Sequence, residues 1–260
     1  MTSLVHVEKQ DGVAVVTIDN PPMNVMSLAV AAALQEAFAD LAGDDAVSCV
    51  VLTAAGERAF MAGADIKEFP AGLGKKGYAQ SLSQRFHEAM NVIDTLSKPT
   101  IAALFGYVLG GGTELALACD MRVCDEATKL GLPECKLGIF PGGGGTQRLP
   151  RLIGEARALQ MMMTGEPVDA STANVWGLVN TVAPLGEARR VALDMARSIA
   201  ARSMPSIARV KQAVLAARTM TLADGLAVEA RLFDEVFQTE DSRIGIEAFI
   251  AKQAPAFKNR

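Results

Sequence analysis

The sequence has little histidine and cysteine. Its 260 residues include only two histidines, His6 and His87, and neither has a second histidine near it. A histidine-based metal site or a Ser-His-Asp triad is therefore not expected, and both histidines are interpreted as ordinary surface or core residues. The four cysteines form no CxxC and have no zinc-like spacing, so we interpret them as reduced thiols: Cys49, Cys119, Cys124 and Cys135.

The chain also lacks a positive charge excess and a long apolar run. A formal net charge of −4 gives no electrostatic reason to expect nucleic acid or an anionic membrane as a partner. Residues 100–119 are strongly apolar, but Glu114 and four glycines within them argue against a membrane span. The start, MTSLVHVEKQ, has neither a signal-peptide nor a transit-peptide pattern. We therefore expect a cytoplasmic protein.

The first part of the chain alternates predicted strands with predicted helices. Asp11 and Gly12 separate two β-branched runs and predict a hairpin, and Ser27 is a candidate N-cap for the helix that follows. Residues 70–78, rich in glycine and lysine, predict a surface loop. The runs that predict strands are LVHVEKQ, VAVVTID, VSCVVLTAAG and KPTIAALFG. This rhythm is typical of an α/β fold built from right-handed βαβ units.

From residue 153 onward the sequence predicts mainly helices. The amphipathic segments are ARALQMMMTG, ASTANVWGLVN, ARRVALDMARSIAAR, SIARVKQAVLAAR and LADGLAVEARLFDEVF. No low-complexity linker separates the two parts. We therefore expect a core over residues 1–195 and a helical region over 196–260, which packs on that core or on a neighbouring subunit.

The segment GYVLGGGTELALACD places Glu114 between three glycines and an apolar run. Glycines between a strand and a helix leave amide groups unpaired at the helix N-terminus, where an anion is favourable. The anion is either a ligand oxygen or the side chain of Glu114 itself, which would then only complement the helix dipole. A dinucleotide site is not supported, because Leu115 stands where the third glycine of that motif belongs.

Two further segments carry candidate functional groups. Glu134 follows Pro133 among apolar residues, and its alternative interpretation is a structural turn. In FMAGADIKE the small residues 62–64 expose backbone, and Asp65 is a candidate cap for the segment after it. Together, two amide-bearing loops and two carboxyl groups in apolar settings point to chemistry at a carbonyl and its neighbouring carbons. Apolar surroundings raise a carboxyl pKa toward neutrality, which suits this work.

Over nearly its whole length the sequence resembles the enoyl-CoA hydratase/isomerase (crotonase) superfamily. The resemblance is carried by six segments in order, which are NPPMNVMS, FMAGADIKE, KPTIAALFGYVLGGGTELALACD, LGLPECKLGIFPGGGGTQRLPRLIG, TGEPVDASTANVWGLVN and FQTEDSRIGIEAFIAKQAPAFK. It implies an α/β crotonase (ClpP/crotonase-like) fold, a spiral of ββα repeats in two sheets. The C-terminal helices would complete the core and drive assembly into a homotrimer, often paired into a hexamer.

The resemblance also implies roles for individual residues. The amides of Ala64 and Gly111 would form the oxyanion hole for the thioester carbonyl. Residues that would contact coenzyme A are Met23, Asn24, Val25, Ala62, Asp65 and Ile66, with Lys67, Phe249 and Lys252 at the nucleotide end. The alternative for the lysines is solvated surface charge. No metal or redox cofactor is implied, because coenzyme A enters as part of the thioester substrate.

The two glutamates decide the subtype. Hydratases of the family keep both acids, many isomerases keep only the one that matches Glu134, and this chain has both, 20 residues apart. The resemblance therefore implies an enoyl-CoA hydratase, in which Glu114 deprotonates a water molecule and Glu134 delivers the proton to C2. The alternatives are an enoyl-CoA isomerase or a branched-chain or aromatic enoyl-CoA hydratase on the same scaffold, and a non-catalytic acyl-CoA-binding or RNA-binding member.

The acyl-binding wall is the least diagnostic part of the sequence. The resemblance assigns it to residues 70–90 and part of residues 135–145. Met61 varies in the family, and we expect it to narrow the pocket near the thioester. The acyl chain length is left open by the sequence.

Overall fold

The structure, a computed structural model, describes residues 3–260. Residues 1 and 2, which begin the segment without a signal-peptide pattern, lie outside the described residues. The strands are β1 (Val5–Gln10), β2 (Val13–Ile18), β3 (Cys49–Ala54), β4 (Ala59–Ala62), β5 (Thr100–Leu104), β6 (Tyr107–Leu109), β7 (Met121–Asp125), β8 (Lys129–Gly131), β9 (Val168–Asp169) and β10 (Thr181–Ala183). The helices are α1 (Leu28–Ala42), α2 (Tyr78–Asp94), α3 (Gly111–Ala118), α4 (Gly145–Ile153), α5 (Glu155–Thr164), α6 (Ala170–Trp176), α7 (Ala188–Ala200), α8 (Met204–Ala216), α9 (Leu222–Phe237) and α10 (Glu240–Ile250).

The local predictions for the N-terminal part are confirmed. β1 and β2 form an antiparallel hairpin, and Asp11 and Gly12 both have positive φ values, 53° and 75°, as a tight two-residue turn requires. The Ser27 side chain accepts a hydrogen bond from the amide of Val30 at 3.2 Å and so caps α1. Every residue of β3 and β5 is buried, as expected of apolar runs in a parallel sheet.

Over residues 3–260 the strands form two sheets. The larger has the order β1-β2-β3-β5-β7-β10, and the smaller has the order β4-β6-β8-β9. Successive strand pairs, β3 with β4, β5 with β6 and β7 with β8, each place one strand in each sheet before a helix follows. This is the predicted spiral of ββα repeats, and the helix α7 packs on the larger sheet.

The smaller sheet brings three loops together. Its strands β4, β6 and β8 are parallel neighbours, so their carboxyl ends meet at one edge. The loops that leave this edge carry Ala64 after β4, Gly111 after β6 and Glu134 after β8. α3 starts directly after β6 and adds Glu114. Residues far apart in the sequence are therefore neighbours because of strand order alone.

The C-terminal helices are attached by a buried ion pair. Lys211 of α8 lies 2.8 Å from the carboxylate of Asp120, which also accepts a hydrogen bond from the amide of Thr100 at 2.8 Å. The sequence did not predict α10, although Thr239 caps it by accepting from the amide of Ser242. The expected boundary at residue 195 lies inside α7, and the division into two regions stays a prediction.

The cysteine side chains are largely buried. All four cysteines are unpaired, and burial raises the pKa of the Cys49, Cys119 and Cys124 thiols to about 12. Such thiols are unreactive near neutral pH.

Within residues 3–260, no helix combines the length and the apolar character that crossing a membrane requires.

Candidate active site

A cavity of about 730 Å³ opens at the edge of the smaller sheet. It contains six of the residues that the sequence analysis selected, Ala62, Ala64, Ile66, Gly111, Glu114 and Glu134. The remaining wall is mostly apolar and includes Met26, Leu73, Leu82, Phe86, Met90, Leu137, Ile139 and Phe140. The structure therefore joins the predicted oxyanion loops and both predicted acids in one cavity.

Two of the three glycines that precede Glu114 have distinct structural roles. Gly110 has φ 50° and ψ −122°, a conformation that side chains rarely adopt, and it turns the chain from β6 into α3. A Cβ atom on Gly112 would lie 2.2 Å from the carbonyl oxygen of Met61, so glycine lets α3 pack directly against β4. The glycines thus bring the N-terminus of α3, and with it Glu114, to the edge of the sheet.

Two backbone amides at this edge have no acceptor within the described chain. The hydrogen bonds formed by residues 3–260 include none from the amides of Ala64 or Gly111. By contrast, the amide of Met26 donates to the carbonyl oxygen of Gly63, and the amide of Asp65 donates to the carbonyl oxygen of Met26. The nitrogen of Ala64 lies 3.6 Å from the position that a Cβ atom on Gly111 would occupy. Two adjacent free donors, one of them at a helix N-terminus, form a site for a polarised or negative oxygen atom.

Glu114 is buried, with 4% of its surface exposed. Its Oε1 atom accepts hydrogen bonds from the amides of Gly143 at 2.7 Å and Gly145 at 2.9 Å. Burial raises the pKa of this carboxyl, while the two amides and the nearby Arg148 oppose the rise. Since both bonds go to Oε1, Oε2 is left for a ligand in the cavity. The Glu114 side chain is thus held in place by two backbone amides, one in the loop that leads into α4 and one at the start of that helix.

Glu134 has a different environment from Glu114. It begins a short 3₁₀ turn over residues 134–137, and its buried Oε2 atom has no hydrogen-bond partner within the described chain. Burial raises the pKa of Glu134 to about 7, and the charge of Glu114 adds to this rise. A carboxyl with this pKa carries and releases a proton near neutral pH, which is the property of a general acid.

The segment predicted to contact coenzyme A near the N-terminus lies beside the cavity and does not line it. Met23 accepts a hydrogen bond from the amide of Ala62 through its carbonyl oxygen at 3.0 Å. Asn24 is buried in a left-handed conformation with φ 52°, and its amide group donates to the carbonyl oxygens of Ala55 and Ala59. Asn24 therefore organises the turn, and coenzyme A contacts by Met23, Asn24 and Val25 stay a prediction.

The remaining predicted contact residues are spread over two regions. Asp65 caps the 3₁₀ helix over Ile66–Glu68 by accepting from the amide of Lys67 at 3.1 Å, as the sequence predicted. The Lys67 side chain is exposed beside the cavity. Phe249 lies in the last turn of α10 and is 83% exposed, and Lys252 lies two residues beyond the end of that helix. The structure does not bring these two residues to the cavity of the same chain.

The expectation for Met61 is wrong. Its side chain is fully buried behind α3 and is absent from the cavity wall, which Met26 lines instead. The alternation of side chains along β4 points Met61 into the core. Both segments expected to form the acyl wall do line the cavity, with Leu82 and Phe86 from α2 and Ile139 and Phe140 from the second segment.

Sequence analysis missed the residues that hold Glu114. In the sequence, residues 142–145 stood out only as part of a longer family segment and of the range expected to contribute to the acyl wall. A Cβ atom on Gly143 would lie 2.5 Å from Oε2 of Glu114, so glycine is required for this contact. Arg148, five residues further on, donates to the carbonyl oxygen of Gly143 and to the side-chain oxygen of Asn91. Four consecutive glycines before a helix were the signal for an amide-rich loop.

The geometry of the cavity defines a class of protein. Two free amides face the same apolar cavity as two carboxyl groups of raised pKa. This arrangement is typical of an enzyme that stabilises charge on a carbonyl oxygen and moves protons at neighbouring carbon atoms.

Comparison with known proteins assigns the family. The family model described as "Enoyl-CoA hydratase/isomerase" matches residues 8–260. The chain is 40% identical over 255 residues to a probable enoyl-CoA hydratase of Rhizobium meliloti (strain 1021), covering 98% of this chain and 97% of that protein. A similar match, 40% over 247 residues with 95% of each chain covered, is a probable enoyl-CoA hydratase of Bacillus subtilis (strain 168).

Solved structures agree with this assignment. The crystal structure of an enoyl-CoA hydratase from Bacillus anthracis superimposes with a TM-score of 0.93 at 36% identity, covering 99% of this chain and 100% of that chain. Pseudomonas aeruginosa DspI gives a TM-score of 0.94 at 37% identity, with 99% and 97% covered. The chain belongs to the enoyl-CoA hydratase/isomerase (crotonase) family, and the predicted crotonase fold is confirmed. Membership of this family implies an acyl-CoA thioester substrate.

Proposed function

We propose that this protein is an enoyl-CoA hydratase, which adds water reversibly and with syn geometry to a trans-2-enoyl-CoA to give a 3-hydroxyacyl-CoA. The observation that carries the proposal is the pairing of Glu114, held by two backbone amides, with Glu134, whose pKa is raised to about 7, at one cavity. The two carboxyl groups thus differ in environment, as a base and an acid must.

In the proposed reaction the thioester oxygen lies between the amides of Ala64 and Gly111. These donors stabilise the negative charge that develops on this oxygen when water attacks C3, and each is worth about 3 kcal/mol in comparable sites. Glu114 accepts a proton from the attacking water molecule. Glu134 then donates its proton to C2, which returns the enolate to a thioester. Coenzyme A is part of the substrate, and no other cofactor takes part.

The proposal is tested with crotonyl-CoA, by following the loss of enoyl absorbance. Substituting Glu114→Gln or Glu134→Gln removes one proton-transfer group without a large change in shape, and each should lower kcat about 10²- to 10⁴-fold. The matched control is Glu88→Gln, an exposed glutamate on α2 that should retain wild-type activity. A wild-type protein that fails to hydrate crotonyl-CoA and longer or branched enoyl thioesters, but shifts their double bond, would be an isomerase instead.

We also propose that the chain assembles into a homotrimer or a hexamer. The helices α8, α9 and α10 expose several large apolar side chains, which are Val210, Val214, Leu226, Phe233, Phe237, Phe249 and Ile250. Only Leu232 of the sixteen residues of α9 is buried in the single chain. An amphipathic helix without a buried apolar face normally packs on another surface, and a second copy of the chain supplies one.

A further inference from the structure

His87 and Ser83 form a hydrogen-bonded pair that the proposed reaction does not use. They stand four residues apart on α2, so their side chains share one face of the helix. The Ser83 Oγ atom lies 3.3 Å from Nε2 of His87 and 2.5 Å from the carbonyl oxygen of Gly142. A hydroxyl group has one proton, and Ser83 donates it to Gly142. Nε2 of His87 is therefore the donor in the contact between the two side chains.

The bond to Gly142 is transmitted to Glu114 by one peptide group. In a planar trans peptide, the carbonyl of one residue and the amide of the next point in opposite directions. The amide opposite the Gly142 carbonyl belongs to Gly143, and it donates to Oε1 of Glu114 at 2.7 Å. Fixing the carbonyl from one side therefore aims the amide at the carboxylate on the other side. Consecutive hydrogen bonds of this kind also polarise and strengthen one another.

We propose that Ser83 is a positioning residue for Glu114. It acts through the peptide that joins Gly142 to Gly143, and His87 orients its hydroxyl group. We call this chain of contacts the His87–Ser83 relay. The inference rests on the proposed function, because it gives the relay the task of holding the base that activates water.

The two ends of the relay lie in different cavities. Ser83 lines the cavity that contains both glutamates, whereas His87 lines a second cavity of about 560 Å³. The wall of this second cavity also includes Asn91, Asp94 and Arg148. A substitution at His87 therefore changes the relay without altering the wall that faces the thioester. This separates an effect on Glu114 from an effect on substrate packing.

The decisive experiment is a double-mutant cycle on crotonyl-CoA hydration. Ser83→Ala should lower kcat about three- to tenfold and His87→Leu about two- to threefold, with little change in KM, as expected for the loss of one hydrogen bond. In the Glu114→Gln background both factors should fall close to one, because the residue that the relay positions is gone. The matched control is Ser81→Ala, an exposed serine on the same helix that does not line the cavity, which should have no effect in either background.

Equal factors in both backgrounds would overturn the proposal, since Ser83 and His87 would then contribute to folding or packing alone. A second readout does not depend on activity. In a Glu134→Gln protein, carboxyl ¹³C NMR follows the titration of Glu114, and Ser83→Ala should raise its pKa because the Gly143 amide binds the charged form less well. Arg148, the charged side chain that lowers the pKa of Glu114, is unchanged by the Ser83→Ala substitution. An unchanged pKa contradicts the relay.

The two readouts also separate this inference from the proposed function. A wild-type protein without hydratase activity on any enoyl thioester would refute the hydratase assignment. The NMR titration of Glu114 would still decide whether the relay holds the carboxylate.

Discussion

The amide of Gly143 donates a hydrogen bond of 2.7 Å to the Oε1 atom of Glu114, 29 residues earlier in the chain. The same glycine has no room for a side chain, since a Cβ atom there would lie 2.5 Å from Oε2 of that glutamate. The backbone of Gly143 must approach the carboxylate closely for its amide to donate this hydrogen bond, and only glycine allows that approach. This contact ties the orientation of the proposed base to a single loop.

Gly143→Ala should therefore displace the carboxylate of Glu114 and lower kcat for hydration about 10²-fold, the usual effect of a shift of about 1 Å at a reacting group. Steady-state kinetics with crotonyl-CoA measure this loss. Gly43→Ala is the matched control, because a Cβ atom at Gly43 meets nothing within 4 Å. Wild-type kcat in the Gly143→Ala protein would mean that Glu114 does not need this contact.

The raised pKa of Glu134 predicts how stability changes with pH. Its pKa is about 7 in the folded chain against the ordinary value of 4.5 for a glutamate side chain, so between these pH values the folded state holds a proton that the unfolded state has lost. Stability therefore falls as pH rises from about 4.5 to about 7. Glu134→Gln removes this pH dependence. The free energy of unfolding of the variant minus that of wild type should therefore be larger at pH 8 than at pH 5, by roughly 1 to 3 kcal/mol.

Urea unfolding of both proteins at the two pH values measures this difference. The exposed Glu88→Gln variant is the control and should follow the wild-type pH dependence. If the stability of Glu134→Gln relative to wild type is the same at pH 5 and pH 8, the Glu134 carboxyl has the same pKa in the folded and the unfolded chain, and the prediction is wrong.

The ion pair between Lys211 and Asp120 should be the main polar attachment of α8. Its side chains are 7% and 18% exposed, so removing the lysine leaves a mostly buried negative charge. Lys211→Met should lower the free energy of unfolding by about 2 to 4 kcal/mol at fixed protein concentration. Arg243→Met, which breaks an exposed pair with Glu247 on α10, should change it by less than about 0.5 kcal/mol. Similar losses in denaturant unfolding would contradict a special role for the buried pair.

The proposed oligomer predicts a mass in solution. Sedimentation equilibrium should give about three or six times the chain mass of 27.3 kDa. Phe233→Asp should reduce this mass, because the ring is 67% exposed in the single chain and its centroid lies 5.9 Å from that of the exposed Phe237 ring. Val175→Asp, on α6, changes an apolar residue that is 77% exposed and lies outside the proposed interface, and it should leave the mass unchanged. A wild-type monomer at all concentrations would refute the oligomer.

Much of the local structure could be predicted because its causes are local. Asp11 and Gly12 accept the positive φ values of a tight turn, and Ser27 supplies the acceptor that begins α1. The strands β4, β6 and β8 were not predicted individually, since four residues or fewer carry no clear alternation. They are stabilised by their neighbours in the sheet and not by intrinsic preference.

The sequence by itself determined the strand-helix alternation, the glycine turns and the two glutamates in apolar segments, because these depend on residue type and short spacing. Only the tertiary structure decided which groups meet. The amides of Gly143 and Gly145 reach Glu114, and Met61 points away from the cavity, as a result of strand order and packing. Contacts between distant backbone segments leave no periodic pattern in a sequence, since any residue supplies an amide and only the fold directs it.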